Sequence, residues 1–172
     1  MTEKQKGVLR GMVIGSSISI AIILVGVYAN ILSNIDNSLT IAFKALLLPA
    51  LFLMISIGRL AGHRFFTPED IDGGGLSVGS EKAKVLQSLL QNTLEQFCLA
   101  LAAYTAWAVI MPSDTLSVII YAAIVFAVGR ILFFHGYDKG APSRALGFTL
   151  TFYPSVFMLL GTVFYSIVSI SM

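Results

Sequence analysis

Apolar residues in this chain run in five long blocks separated by short polar stretches. The blocks extend from about Met12 to Leu32, Ile41 to Leu60, Val85 to Met111, Leu116 to Phe134 and Ala145 to Ile170. Each approaches the roughly 20 residues that a helix needs to cross a bilayer core. Strands of a membrane barrel alternate apolar and polar positions, and none of these blocks does. The pattern predicts an all-α fold, an integral membrane bundle of five spans.

The stretches between the blocks carry turn chemistry. Ser33–Thr40 reads as a polar turn, and Met111-Pro112-Ser113-Asp114 stops the third block with a proline. Phe65–Ser80, rich in glycine and acid, is the one long loop. His135–Ser143 is a short turn in which Ser143 is expected to cap the last helix. Basic residues before the first block, with Val27-Tyr28-Ala29 near its end as a loose cleavage-site mimic, resemble a signal peptide. That block is longer than the roughly 7–15 residues of a signal-peptide core, so it is read as a span. Gly7, Gly11, Gly15 and Ser19 lead into it at four-residue spacing, a face that lets another helix approach closely.

Composition agrees with the pattern. The chain is 56% hydrophobic and 12% charged, where soluble domains carry about 25% charge. A net charge of +2 with no long basic run excludes nucleic acid as a partner. Cys98 is the sole cysteine, so no intrachain disulfide forms, and it lies in an apolar stretch where a thiol is unreactive. His63 and His135 stand far apart without cysteine companions, so no metal site is expected. The run Gly73-Gly74-Gly75…Gly79-Ser80 lacks the Lys-Ser/Thr of a phosphate loop. The distribution of basic residues is more informative. Ten of the eleven, all but Lys44, fall on one side of a five-span bundle, while Asp36 and Asp114 mark the other turns. By the positive-inside rule that side, with the N-terminus, is cytoplasmic. In a bacterium the membrane would be the inner (cell) membrane.

Ionisable groups inside a bilayer need a partner or a purpose. On the third block Lys84, Gln87, Ser88, Gln91, Asn92 and Glu95 fall on one half of a helical wheel. Glu95 lies about 16 Å along that helix from Lys84. Arg130, at comparable depth in the fourth block, is the expected counter-charge, and it shares a helical face with Phe133 and Tyr137. Arg144 opens the fifth block, where its forked donors suit a carboxylate. These residues describe either a pocket for a small anionic or zwitterionic ligand or a buried structural ion pair, and the residues alone leave both open.

Order and spacing add a resemblance. Gln91-Asn92-Thr93-Leu94-Glu95, then Gly129-Arg130…Phe134-His135-Gly136-Tyr137, then Ala141-Pro142-Ser143-Arg144 and Pro154, resemble the MAPEG family in a bacterial-type form. These are the membrane-associated proteins of eicosanoid and glutathione metabolism. The resemblance covers about Ile41 to the C-terminus, so residues 41–172 are expected to form a four-helix MAPEG-like domain and residues 1–40 an additional helix and turn. It implies a homotrimer in membrane lipid, with glutathione as co-substrate between subunits and a small lipophilic electrophile as the second substrate. By the same carry-over Asn92 and Glu95 hold the polar ends of the peptide, Arg130 supports Glu95 and Tyr137 lines the ligand. Arg144 stands beside the sulfur as the catalytic residue, and Arg59 or Arg64 meets a carboxylate.

The chain departs from the family's pattern at several of these positions. Ser88 stands where family enzymes commonly carry arginine, Phe133 where several carry Tyr or His, and Ala145 where the prostaglandin enzyme carries serine. Fewer cations weaken carboxylate binding. The alternative reading is therefore a non-enzymatic lipid-binding or scaffold protein on the same fold. A small transporter or channel is disfavoured, because no inverted repeat and no row of charges along a helix is visible.

Overall fold

The structure, a computed structural model, describes residues 1–29 and 37–171. Five helices among them are long and apolar enough to span a membrane: α1 (Glu3–Ala29), α2 (Ser38–Phe66), α3 (Glu81–Ile110), α4 (Ser117–Gly136) and α5 (Ala141–Ile170). No strand occurs among the described residues. The expected turn over Ser33–Thr40 lies mostly outside them. Its described end holds Asn37, whose side chain caps α2 by accepting from Thr40 N at 3.1 Å.

The helices overrun the apolar blocks at their polar ends. The first and third begin at Glu3 and Glu81, well before Met12 and Val85, because a helix continues through the interfacial zone where lysine and glutamate are solvated. The start of α5 also differs from expectation. Ser143 is not its cap: the helix begins at Ala141, behind Gly140 at φ +94°. Pro142 explains this, since its fixed φ and missing N–H suit the first helical turn and move the start ahead of Ser143.

The small-residue face of α1 packs on α5. A Cβ at Gly7 would meet Pro142, one at Gly11 would lie 2.8 Å from Ala145 Cβ, and one at Gly15 would collide with Thr149. Those partners follow in the same chain order, three and then four residues apart, about one helical turn each time, so α1 and α5 run parallel in a fixed register. Thr149 Oγ1 reinforces it with a hydrogen bond to the Gly11 carbonyl at 3.1 Å. Farther along, Gly26 passes Val118 of α4, where a Cβ would stand 2.7 Å from backbone. The crossing of α4 and α5 is equally tight, with Gly129 and Gly147 facing each other. With little hydrophobic force between helices in lipid, such close backbone approach supplies the dispersion contact that holds a bundle together.

The apolar core divides in two. The larger part, around Tyr104, Trp107, Phe126 and Met158, joins α2, α3, α4 and α5. Trp107 Nε1 is satisfied there by Thr115, donating to its carbonyl at 3.2 Å and its hydroxyl at 3.1 Å. The smaller part, Leu60, Leu86, Leu89 and Phe133, lies toward the end rich in Lys and Arg, and the polar residues of interest surround it.

Candidate functional site

Arg130 is the largest fully buried side chain among the described residues. Its partners are neutral. Nη1 donates to Asn92 Oδ1 at 2.9 Å and to Thr93 Oγ1 at 3.4 Å, and Nη2 donates to Thr151 Oγ1 at 3.0 Å. The rings of Phe133 and Phe126 lie 4.4 and 5.8 Å from the guanidinium carbon, within cation–π reach. The expected pairing with Glu95 does not form. Glu95 lies on the exposed face of α3 and accepts from Gln91 Nε2 at 2.9 Å. The two residues agree in depth and differ in rotation about α3, for the face turned to Arg130 carries Asn92 and Thr93 instead.

This arrangement fixes Asn92. With its amide oxygen held by Arg130, its Nδ2 hydrogens are the groups left to offer a ligand. Asn92 lines a cavity of about 460 Å³ between α3, α4, α5 and α1, which Tyr137 and Arg144 also line. Arg144 stacks over the Tyr137 ring at 4.3 Å, and Tyr137 meets Phe133 edge-on at 5.4 Å between centroids. Among the described residues Arg144 joins no ion pair. Phe148, Phe152 and Tyr153 follow it one and two turns along α5 and make the rest of the cavity apolar. The site therefore has a cationic, hydrogen-bonding end and a greasy end.

The other residues singled out by sequence lie elsewhere. Arg64 donates to Gln87 Oε1 at 3.2 Å and borders a separate cavity of about 730 Å³ under the glycine loop, with Lys84 and Ser88. Arg59 is exposed, 5.4 Å from the Phe134 ring. Ser88 spends its hydroxyl on the Lys84 carbonyl of its own helix at 2.9 Å. Cys98 is exposed on the outward face of α3.

A polar cluster at the base of the loop was not anticipated from the sequence. Buried Asp70 accepts from Ser80 N at 2.7 Å and Ser80 Oγ at 2.6 Å, and its other contact is His63 Nε2 at 2.8 Å. Those hydrogen bonds, Ser80 foremost, hold its carboxyl below the ordinary value. Ser80 also caps α3, accepting from Ala83 N at 3.1 Å. The cluster ties the end of α2 to the start of α3 and so fixes the height of Asn92.

The model of the MAPEG family matches residues 38–164, from the first residue of α2 into the last third of α5. The chain belongs to the MAPEG family. Comparison with curated proteins and with solved structures returns no match. Within this MAPEG protein the match contains Asn92, Arg130, Tyr137 and Arg144, and it leaves α1 outside. Family and helices together describe a multi-pass membrane protein.

Proposed function

We propose that this MAPEG protein binds glutathione or a similar small thiol and conjugates or reduces lipophilic electrophiles that enter from the bilayer. The observation that carries this reading is an arginine with no acidic partner among the described residues, stacked on Tyr137, at the polar end of an apolar cavity. A cation so placed favours the ionised form of a thiol. Arg144 lies in the first turn of α5, so free helix amides add to the same field. The protein's part is to hold the thiolate sulfur beside Arg144 while it forms the bond to the electrophilic carbon, the displaced electron pair leaving on the acceptor. Asn92 anchors the polar part of the thiol, and Arg130 positions Asn92.

Glu95 and Gln91 bear on assembly. They stand exposed in a membrane-spanning helix, where a carboxylate facing lipid is costly. A second copy of the chain covers them most economically, and by the family's pattern the assembly is a trimer, with Glu95 completing the site from the neighbouring subunit. The N-terminus and the Asp70 loop face the cytoplasm, since the basic residues gather at that end. The test is thermal melting of the purified protein with and without glutathione, alongside conjugation of a generic electrophile. Thiol-dependent stabilisation and conjugation above the uncatalysed rate are expected.

One observation favours a second reading. Ser88 supplies no cation and no free hydroxyl, so carboxylate capture on α3 is weaker than in family members with arginine there. A chain that binds lipid without turnover would retain the apolar end of the cavity and show no thiol-dependent melting shift.

A further inference from the structure

The cavity beside Arg144 is not closed by the matched family region alone. Val8 and Met12 of α1 line it, one turn apart. A second groove of about 440 Å³ shares Val8, Met12 and Ala141 with it and continues past Lys4 and Met1. The two α1 side chains thus form the ridge common to both spaces. The backbone behind them has no freedom to retreat, because Gly7, Gly11 and Gly15 hold α1 against Pro142, Ala145 and Thr149. That register sets the height of Met12. Gly11 pairs with Ala145, so Met12 is level with Leu146, about 3 Å along the axis from both Arg144 and Phe148. It stands where the cationic end of the cavity gives way to the aromatic end. Met12 is 40% exposed, and its unbranched side chain is able to shift for one ligand shape and to obstruct another.

We propose that Met12, seconded by Val8, is the specificity-determining residue of this site, sorting acceptors by the bulk of their apolar part as it passes α1. The inference rests on the thiol reading above and adds to it a role for a helix that the family match excludes. A thiol bound at Arg144 and Asn92 touches α1 little; the group carried on its sulfur must run past Met12 to reach Phe148 and Phe152. Filling that point penalises long substituents and spares short ones. Clearing it admits wide ones.

The experiment measures the affinities of glutathione and its S-methyl, S-hexyl and S-benzyl derivatives for the detergent-purified full chain. Wild type is compared with Met12→Trp and Met12→Ala. In Met12→Trp the S-hexyl derivative weakens about tenfold or more, the size of one methylene's misfit in an apolar pocket. Glutathione and S-methylglutathione change less than about twofold. In Met12→Ala the S-benzyl derivative gains on the S-hexyl one by severalfold. Equal weakening of all four ligands in Met12→Trp, or unaltered S-hexyl binding in both variants, overturns the inference and leaves the thiol reading standing. A wild type that binds none of the four overturns the thiol reading and this inference with it.

Discussion

The partner of Arg130 can be weighed directly. Arg130→Met replaces the guanidinium by an apolar chain of similar length. Thr93 and Thr151 lose a donor yet keep their own bonds, to the Leu89 carbonyl at 2.7 Å and the Phe148 carbonyl at 2.8 Å. Asn92 Oδ1 loses its only partner among the described residues, the 2.9 Å bond from Nη1. A hydrogen bond to a charged group contributes about 1.5–3 kcal/mol in proteins generally. Side-chain hydrogen bonds between membrane helices average about 0.6 and reach about 1.7 kcal/mol. The ranges meet near 1.5 kcal/mol, and that is the expected coupling between Asn92→Leu and Arg130→Met in a double-mutant cycle. The parallel cycle with Glu95→Gln should be additive to within about 0.5 kcal/mol, because Glu95 shares no partner with Arg130. Reversible unfolding in mixed detergent micelles supplies the free energies. A buried ion pair predicts the reverse order, with loss of one partner costing about 3–5 kcal/mol and the double variant recovering much of it. Stronger coupling of Arg130 to Glu95 than to Asn92 would refute the assignment.

Three further outcomes follow from the same contacts. Gly11→Leu drives a side chain against Leu146 N, 2.9 Å from the first added atom; it should lower stability by about 1–3 kcal/mol and expose α1 to protease. Asp70 has a depressed folded pKa, so its contribution is present above the ordinary 3.8 and lost as pH falls through the folded value. Amide exchange at Ser80 and Ala83 should therefore be faster in Asp70→Asn than in wild type at neutral pH, with the difference closing in acid. Native mass spectrometry from mild detergent should show trimers, and Glu95→Leu should shift the balance toward monomer, because it removes the carboxylate that the neighbouring subunit covers.

Much of the bundle was legible in the sequence, for a definite reason. Five apolar blocks of membrane length leave one class of fold, and glycine at four-residue spacing announces a close helix contact. The identity of the partner was not legible, since Pro142, Ala145 and Thr149 become a matching face only once α1 and α5 are seen to run side by side. Depth in the bilayer follows from counting residues, and on that measure Glu95 and Arg130 agree. Rotation about the axis does not follow from counting, and rotation gave Arg130 to Asn92. Asn92, Tyr137 and Arg144 converge as their spacing suggested. Arg59 and Arg64 stand apart because α2 directs one toward Phe134 and the other under the loop. Phe148 and Phe152, four residues apart just after Arg144, carried a readable signal for the apolar end of the cavity. The Asp70–Ser80 clamp had none beyond a serine at a helix start, for the loop must fold before the two meet.

The central claim concerns Arg144, and calorimetric titration with glutathione tests it most directly. Wild type should bind saturably. Arg144→Lys, which keeps the charge and loses the planar stack on Tyr137, should bind more weakly. Arg144→Met, which loses both, should fall by tenfold or more, about 1.4 kcal/mol, with its melting temperature in the absence of thiol little changed. Saturable binding of equal strength in wild type and Arg144→Met, or no binding in wild type, would contradict the account.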